Sequence, residues 1–246
     1  MDPEISIVIP AYEEATRLSG PLHRVFEYLN NEKIAAEIIL VDDGSRDDTA
    51  QTAQTEFDKH PQFETRVIQY DQNRGKGYAV RTGLKAARAN IALFSDADFS
   101  SPIEEMTKLV EPIKNGDFDV TFGSRALDRS LIGTHQPWSR EQGGKVVNLI
   151  IRTMSGLPFV DTQCGFKAFN MARFRPLLDV MTIDRFGFDV EFLFVAKYHD
   201  LRLKELPVRW NNVEGSKVDA FRDTRRMIGE LRQIRRNAKQ GSYDLK

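Results

Sequence analysis

Short apolar runs alternate with amphipathic stretches along the first half of the chain. The β-branched runs cover residues 5–9, 37–41, 65–70, 91–94 and 118–122. Helical patterns lie between them, at residues 15–30, 47–59, 77–89 and 103–115. Strands that alternate with helices through short connections predict βαβ units and a mostly parallel sheet. Because crossovers between parallel strands are right-handed, we expect a doubly wound α/β fold.

The second half of the chain has a looser pattern. Helical periodicity covers residues 140–155, 190–198 and 219–239, and strand-like runs cover residues 165–170 and 202–210. No linker-like composition separates the two halves, so we predict one domain over residues 1–246. Its expected parts are a Rossmann-like half at about residues 1–100, a variable half at 101–215, and a basic amphipathic helix with a tail at 216–246.

Polar clusters follow each of the first five predicted strands. They occupy residues 10–14, 42–45, 73–77, 95–98 and 123–125. The carboxyl ends of parallel strands meet at one edge of a sheet, and open α/β sheets bind ligands there. The sequence therefore predicts a binding site that is assembled from these five clusters.

Two aspartates one residue apart, Asp96 and Asp98, follow the fourth apolar run. Residues i and i+2 of an extended chain point to the same face, so these carboxylates would repel each other without a nearby cation. One interpretation is a helix cap with a solvated neighbour, because residues 100–102 begin the next helix. The other is a site for Mg²⁺ or Mn²⁺ shared with substrate phosphates. The four further clusters at the same edge favour the metal.

Two other clusters carry candidate ligand contacts. Asp42 and Asp43 precede a turn, where a carboxylate can accept hydrogen bonds from a nucleobase N–H or a ribose hydroxyl. Arg74, Gly75 and Lys76 combine cations with close backbone approach, which is typical of a phosphate cradle. Their spacing matches neither the P-loop nor the dinucleotide fingerprint, so the ATPase and dinucleotide classes are not indicated.

Composition and charge narrow the class of protein. The chain has 41% hydrophobic and 29% charged residues and a formal net charge of −1, which gives no indication of nucleic-acid binding. Its one cysteine, Cys164, cannot form an intrachain disulfide, as is typical of a reducing compartment. No apolar run approaches the roughly 18 residues of a spanning helix, and the first strand leaves no room for a signal peptide. We therefore expect a cytoplasmic protein whose membrane contact, if any, is peripheral.

Eight segments carry a resemblance to a known family. IPAYEEATRL, VDDGSRDDT, NRGKGYAV and SDAD, in this order, resemble the inverting GT-A glycosyltransferases of family 2. GSRA, DTQCGFKAF, RFGFDVE and RWNNVEGSKV are similar to the dolichyl-phosphate β-glucosyltransferase branch, which transfers sugars to polyprenyl phosphates. The resemblance covers about residues 4–225. It implies a GT-A fold, a UDP-sugar donor (usually UDP-glucose), a polyprenyl-phosphate acceptor, and Mg²⁺ or Mn²⁺ as the cofactor.

The resemblance also implies roles for particular residues. Nucleotide-sugar contacts would come from Pro10, Tyr12, Glu13, Asp42, Asp43, Arg74, Gly75, Lys76, Asp96 and Ala97. Metal ligands would be Asp96 and Asp98, and the catalytic candidates are Asp98, Asp161, Asp189 and Glu191. Asp161 would position the acceptor or a basic side chain. Either Asp189 or Glu191 occupies the place of the base in relatives that glycosylate hydroxyl groups.

A phosphate acceptor needs cations rather than a base, because its oxygens are already anionic. The candidates are Arg125, Arg129, Arg140 and Lys217. The relatives in this resemblance carry membrane-spanning anchors, and we expect none within this sequence, because no apolar run approaches the length of a spanning helix. The apolar residues 146–154 and the basic helix 219–239 are therefore the expected interfacial surfaces.

Three other functions stay open at this stage. The acceptor could be a soluble hydroxyl compound, or the chain could bind a nucleotide sugar without turning it over. A phosphohydrolase with an aspartyl nucleophile needs DxDx[TV] on an early strand, whereas Asp98 is followed by Phe99 and Ser100. No residue pattern distinguishes glucose from a similar hexose, and none specifies the oligomeric state.

Overall fold

Nine strands are present in the structure, a computed structural model that describes residues 2–134, 138–212 and 220–245. For residues 138–142, 145–146 and 220–224 it describes the backbone alone. The strands are β1 (Ile5–Ala11), β2 (Ala36–Asp42), β3 (Glu64–Gln69), β4 (Ile91–Ser95), β5 (Val120–Ser124), β6 (Ile132–Thr134), β7 (Phe166–Asn170), β8 (Leu203–Pro207) and β9 (Trp210–Asn211).

The central sheet contains seven strands in the order β3-β2-β1-β4-β7-β5-β8. Six of them run in one direction, and β7 is antiparallel to both of its neighbours, β4 and β5. The short strands β6 and β9 pair with each other as a separate parallel ribbon. This arrangement confirms the predicted mostly parallel α/β sheet. Because β7 is reversed, its amino-terminal end lies at the edge where the neighbouring strands have their carboxyl ends.

Helices cover both faces of the sheet. They are α1 (Ser19–Asn31), α2 (Thr49–Phe57), α3 (Lys76–Ala86), α4 (Met106–Lys114), α5 (Trp138–Ser155), α6 (Met171–Phe174), α7 (Phe188–Tyr198) and α8 (Ala220–Lys239). The first predicted helix begins at Ser19 rather than at residue 15, because a turn closed by the Leu18 N–H on the Glu14 carbonyl comes first.

Alternation along the strands divides the core into two layers. Ile7 and Ile9 of β1 pack with α1, α2 and α4, whereas Val8 faces the side covered by α3, α7 and α8. Every residue of β1, β2 and β4 is buried, as expected for strands covered on both faces.

The apolar residues of α5 and α8 belong mostly to this core. Ile151 of α5 and Met227, Leu231 and Ile234 of α8 are buried, whereas Leu149 is 63% exposed. The structure thus corrects the expectation for residues 146–154, most of whose described apolar side chains pack inside the protein. Within the described residues, no helix is both long and apolar enough to cross a membrane.

A buried carboxylate links three strands of the sheet. Glu37 of β2 is 1% exposed and accepts hydrogen bonds from Ser6 of β1 (2.6 Å), Arg66 of β3 (2.8 Å) and the Arg88 N–H (2.5 Å). Burial acts to raise the pKa of Glu37, but these hydrogen bonds outweigh it and hold the pKa below its ordinary value.

We predict that Glu37→Ala lowers the free energy of unfolding by about 3 kcal/mol at pH 7, because it leaves the hydrogen-bond donors of Ser6, Arg66 and Arg88 without their acceptor. A carboxyl group with a lowered folded-state pKa stabilises the protein above its unfolded pKa and loses that effect as pH falls. The difference between the variant and the wild type should therefore shrink below about pH 4.5, the ordinary value. Urea unfolding at several pH values measures it.

The exposed Glu111 of α4 provides the control, and Glu111→Ala should leave stability within about 0.5 kcal/mol. Equal losses in the two variants would show that the Glu37 network does not hold the strands together.

Candidate active site

A cavity of about 400 Å³ opens at the carboxyl edge of the parallel strands. It is lined by Pro10, Ala11, Tyr12, Glu14, Arg17, Asp43, Asn73, Gly75, Lys76, Asp96, Ala97, Asp98, Arg185 and Phe186. These residues come from the ends of β1, β2 and β4, from the segment that leads into α3, and from the segment that leads into α7.

Most of the residues predicted to bind a nucleotide sugar lie in this lining. The structure brings together Pro10, Tyr12, Asp43, Gly75, Lys76, Asp96, Ala97 and Asp98, whereas Glu13, Asp42 and Arg74 lie outside the lining. Sequence reasoning missed Arg17, Arg185 and Phe186. Each belongs to a segment that was recognised as a motif, IPAYEEATRL or RFGFDVE, and no spacing rule singles it out.

Asp96 and Asp98 face the cavity, as the spacing predicts. The Nζ atom of Lys76 lies 2.6 Å from Asp96 Oδ1, and Asp98 Oδ1 accepts a 2.9 Å hydrogen bond from the Ser100 N–H. Asp98 therefore closes a turn and also lines the cavity. Burial and then the charge of Asp96 raise the pKa of Asp98 above its ordinary value.

Lys76 offsets part of this negative charge. Burial acts to lower the pKa of Lys76, but the charges of Asp96, Asp189 and Asp98 outweigh it, so the pKa is raised. The ammonium group thus remains charged beside the two aspartates. It was predicted as a phosphate contact, and the structure places it at the carboxylates where such a phosphate would meet a metal.

Close approach to Asp96 requires a glycine at position 165. Gly165 precedes β7, and the reversed direction of β7 places it beside the end of β4, where the Asp96 N–H donates to its carbonyl (3.0 Å). A Cβ atom on Gly165 would overlap with the carboxylate of Asp96. The glycine of the DTQCGFKAF segment therefore leaves the space that the aspartate fills.

The backbone of residues 73–75 binds a carboxylate of the protein itself. Asp43 accepts hydrogen bonds from the N–H groups of Arg74 (2.8 Å) and Gly75 (2.9 Å) and from the Asn73 amide (2.8 Å). Burial raises the pKa of Asp43 even though these bonds oppose it. The prediction of a phosphate cradle is thus corrected for the backbone, because Asp43 already accepts these hydrogen bonds.

The glycine in this segment also has a packing role. Gly75 has a φ of +110°, and a Cβ atom there would overlap with the Asp184 carbonyl. The Arg74 guanidinium stacks on Tyr78, 3.6 Å from the ring centroid, and lies outside the cavity lining.

Asp42 shapes the neighbouring turn. Its carboxylate is buried and accepts hydrogen bonds from the Ser45 N–H (3.0 Å) and from Gln69 (3.1 Å). The Ser45 hydroxyl bonds to the same carboxylate. Asp43, rather than Asp42, is the member of the pair that lines the cavity.

A buried ion pair lies behind the two cavity aspartates. Lys167 of β7 is fully buried, and its Nζ atom contacts Asp189 Oδ1 (2.5 Å) and the Cys164 carbonyl (2.6 Å). Burial raises the pKa of Asp189, and the neighbouring lysines Lys167 and Lys76 oppose that shift. Asp189, a predicted base candidate, is therefore held by a lysine that sequence reasoning had not singled out.

Glu191 is a structural residue. Its carboxylate is fully buried and accepts hydrogen bonds from the N–H groups of Thr182 (2.9 Å) and Ile183 (2.8 Å) and from the Tyr243 hydroxyl (2.8 Å). Burial raises its pKa. The catalytic prediction for Glu191 is corrected, because its oxygens hold the segment before α7 and the C-terminal Tyr243 and do not line the cavity.

Asp161 positions a basic side chain. Its oxygens accept two hydrogen bonds from the guanidinium of Arg125, at 2.7 and 2.8 Å, and a third from the Arg125 N–H (3.0 Å). Burial acts to raise the pKa of Asp161, but the charge of Arg125 outweighs it and lowers the pKa. The Arg125 guanidinium also lies 5.8 Å from the centre of the Trp210 ring.

Of the other three cations predicted to bind the acceptor, only Arg129 has a described side chain. Arg129 is exposed and lies in the short helical turn Arg129–Leu131, which directly precedes β6. Arg140 belongs to the part of α5 described by its backbone alone, and Lys217 lies outside the described residues.

Cys164 is a packing residue. It is 1% exposed, and burial raises the pKa of its thiol to about 11. A neutral thiol in this position is a poor nucleophile.

A family profile and two relatives agree with the resemblance found in the sequence. The sequence profile described as Glycosyl transferase family 2 matches residues 6–175. A dolichyl-phosphate beta-glucosyltransferase of Dictyostelium discoideum is 31% identical, over 94% of this chain and 73% of the relative. One from Drosophila melanogaster is 34% identical, over 89% of this chain and 70% of the relative.

Solved structures share the fold. Glucosyl-3-phosphoglycerate synthase from Mycobacterium tuberculosis, in complex with Mn²⁺, UDP-glucose and phosphoglyceric acid, superposes with a TM-score of 0.66. The two chains are 18% identical, and the superposed region covers 94% of this chain and 79% of the synthase chain. The mostly parallel sheet of this chain is therefore of the GT-A type, the fold of these solved structures. Because the family profile covers well over half of its length, the chain belongs to glycosyl transferase family 2.

We predict that Gly165→Ala weakens Mn²⁺ binding by about 10- to 100-fold, because the added methyl group displaces the Asp96 carboxylate. Calorimetric titration with Mn²⁺ measures the change. Gly20→Ala is the control, since a Cβ atom at Gly20 meets nothing within 4 Å. Wild-type Mn²⁺ affinity in a folded Gly165→Ala protein would contradict this account of the glycine.

Proposed function

We propose that this protein transfers glucose or a similar hexose from a UDP-sugar to a polyprenyl-type phosphate, with inversion at the anomeric carbon. In this proposal, residues 1–100 bind the donor together with Arg185 and Phe186. The rest of residues 101–215 bind the acceptor, and residues 216–246 contact the membrane surface from the cytoplasm. The observation that carries the proposal is an acidic, cation-flanked cavity beside a carboxylate that is already neutralised by Lys167. The names of the relatives agree with it.

Asp96 and Asp98 are the proposed metal ligands. Both present hard oxygen atoms. Burial and then the charge of Asp96 raise the pKa of Asp98, and a divalent cation between the two carboxylates would offset both effects. Mg²⁺ or Mn²⁺ bound there would neutralise the charge that develops on the leaving diphosphate. A Mn²⁺ complex of the structural neighbour supports a cation of this class.

The cations of the cavity suit the rest of the donor. Arg17, Lys76 and Arg185 surround the cavity and can bind a diphosphate. Tyr12 and Asp43 also line the cavity, and in this proposal they contact the nucleoside. The volume of about 400 Å³ is within the usual range for small-molecule sites.

The reaction we propose is a single displacement. An oxygen of the acceptor phosphate attacks the anomeric carbon from the face opposite the diphosphate. The new C–O bond forms as the bond between the anomeric carbon and the diphosphate oxygen breaks, and its electron pair leaves with UDP. The protein contributes by holding both reactants in line. An α-linked donor therefore gives a β-linked sugar phosphate.

The state of Asp189 supports a phosphate acceptor. A hydroxyl acceptor must lose its proton as it attacks, which requires a base with a free carboxylate oxygen near the acceptor. Oδ1 of Asp189 is bound to Lys167, and only 6% of the side chain is exposed, so little of this carboxylate is open to an acceptor. A phosphate monoester needs no such base, and Arg125, which Asp161 orients, is a cation available to hold it.

Transfer to a hydroxyl acceptor is the second candidate. One observation favours it, because burial raises the pKa of Asp189 and a raised pKa improves a carboxylate as a base near neutral pH. A panel of acceptors distinguishes the two candidates. An enzyme that glycosylates hydroxyl groups would release UDP with soluble sugars as acceptors, whereas an enzyme that needs a phosphate acceptor would release UDP only with the lipid phosphate.

The direct test incubates the purified protein with UDP-glucose, Mg²⁺ or Mn²⁺ and a short-chain polyprenyl phosphate. We expect UDP release that depends on the acceptor, and a β-linked polyprenyl phosphoglucose in the mass spectrum. UDP release no greater than in the reaction without acceptor would overturn the proposal.

The metal ligands give a second prediction. Asp98→Asn should lower turnover by about 100-fold or more, because it removes a charge that holds the cation. Asp96→Asn should weaken donor binding as well as turnover. The exposed Asp117 provides a matched control, and Asp117→Asn should keep the wild-type rate. Normal Mg²⁺-dependent turnover in Asp98→Asn would leave Asp98 as a turn residue only.

We further propose that α8 contacts anionic membrane through its charge. The groove between α5 and the end of α8 has a volume of about 470 Å³ and is lined by Met154, Arg232, Arg235, Arg236, Lys239 and Gln240. Because the apolar face of α8 packs in the core, the exposed arginines are the side chains of α8 that would contact a membrane surface.

The vesicle test compares lipid mixtures with and without phosphatidylserine. Reversing three charges, with Arg232→Glu, Arg235→Glu and Arg236→Glu together, should weaken binding to anionic vesicles by about 100-fold. The control reverses three exposed cations elsewhere, Arg24, Lys33 and Lys197. Equal binding by the two triple variants would exclude α8 as the contact surface.

A further inference from the structure

Two histidines and a buried glutamate meet on the outer side of the α1–α2 contact. His23 lies on α1, Glu56 lies on α2, and His60 lies in the turn that follows α2. None of the three lines the acidic cavity. The family motifs identified from the sequence do not include these residues either.

The ligand atoms of the cluster converge. Glu56 Oε1 lies 3.4 Å from His23 Nδ1 and 3.5 Å from His60 Nε2, and all three atoms lie within 4.8 Å of one another. Zinc bonds of about 2.0–2.1 Å to nitrogen and oxygen place tetrahedral ligand atoms about 3.3 Å apart. Two of the three separations are therefore close to those that a bound zinc ion would set.

Two of these atoms are buried and lack hydrogen bonds. Among the residues that the structure describes, Glu56 Oε1 and His60 Nε2 have no hydrogen-bond partner. The Glu56 side chain is only 2% exposed. Leaving a buried carboxylate oxygen unsatisfied is costly, so an arrangement that aims it at two imidazole nitrogens points to a ligand between them.

Neighbouring residues hold the ligands in place. The other oxygen of Glu56 accepts hydrogen bonds from Ser19 (2.9 Å) and Lys59 (2.7 Å), which leaves Oε1 directed at the histidines. His60 stacks on Phe26, with ring centroids 4.1 Å apart.

A further carboxylate lies near His23, just beyond hydrogen-bond distance. Glu27 Oε1 lies 3.6 Å from His23 Nε2, the nitrogen that faces away from Glu56. A carboxylate beside the second ring nitrogen is the usual partner of a metal-bound histidine, because it fixes the ring and its tautomer.

We propose that His23, Glu56 and His60 bind Zn²⁺, with the fourth position open to water. Two imidazoles and one carboxylate suit this ion, whereas Mg²⁺ prefers oxygen ligands alone. The bound ion joins α1 to the turn after α2 and stabilises that side of the domain. This site is independent of the sugar-transfer proposal.

The test uses the full chain, stripped with a chelator and then dialysed. Zn²⁺ is titrated calorimetrically in excess Mg²⁺, which occupies the carboxylates of the acidic cavity. We expect one equivalent to bind at this cluster, and a rise of about 5–10 °C in Tm when free Zn²⁺ is a hundredfold above Kd. Co²⁺ in place of Zn²⁺ should give the visible absorption bands of a tetrahedral site.

The variants locate the binding. His23→Gln should weaken binding at this site by about 100-fold, and it changes a side chain that is 53% exposed, so the protein should still fold. Glu56→Gln should act in the same direction. His199→Gln, at a histidine outside the cluster, is the control and should bind like the wild type.

Each remaining outcome overturns the proposal. It fails if the wild type binds no Zn²⁺ in excess Mg²⁺, or if His23→Gln keeps both the wild-type affinity and the Co²⁺ bands. A Tm that rises equally in the wild type and in His23→Gln would likewise assign the ion to another place. UDP release in Mg²⁺ should be unchanged in His23→Gln, so failure here leaves the sugar-transfer proposal standing.

Discussion

Charge balance at the end of β4 is the constraint on which the site depends. Asp96, Asp98 and Asp189 interact with one another and with two lysines, Lys76 and Lys167. Each lysine neutralises one carboxylate, at 2.6 Å for Asp96 and 2.5 Å for Asp189. Asp98 has no lysine within such a distance among the described residues, and its pKa is raised. Among these five side chains, one carboxylate therefore remains without a lysine and can bind a cation, and the two lysines reduce the repulsion between the aspartates.

The fold supplies this balance through one reversed strand. Because β7 runs against β4 and β5, it places Gly165 beside Asp96 and Lys167 beside Asp189. The same reversal brings Asp161 to Arg125. The segment before α7 then closes over Gly75, and Arg185 and Phe186 complete the cavity. The residues that we propose for the donor and for the acceptor thus lie close together because one strand changes direction.

Local pattern was enough to predict the seven strands of the central sheet, the longer helices and the polar edge, but not the short elements β6 and α6. It identified Asp96, Asp98, Lys76 and Asp43, because residues at the ends of parallel strands share an edge whatever their partners are. Pattern could not give the direction of β7, since alternation is the same in both directions. It therefore missed Lys167, and it could not separate the buried structural Glu191 from the paired Asp189, two residues apart on one helix. Those distinctions depend on long-range contacts.

The most direct test of this charge account is the coupling between metal and nucleotide. UDP affinity is measured by calorimetry with and without Mn²⁺, in the wild type and in Asp98→Asn. The account predicts that Mn²⁺ tightens UDP binding by about tenfold or more in the wild type, since the cation joins the carboxylates to the diphosphate. Asp98→Asn should lose that tightening. If Mn²⁺ tightens UDP binding equally in both proteins, or not at all in the wild type, the assignment of Asp98 to a cation is contradicted.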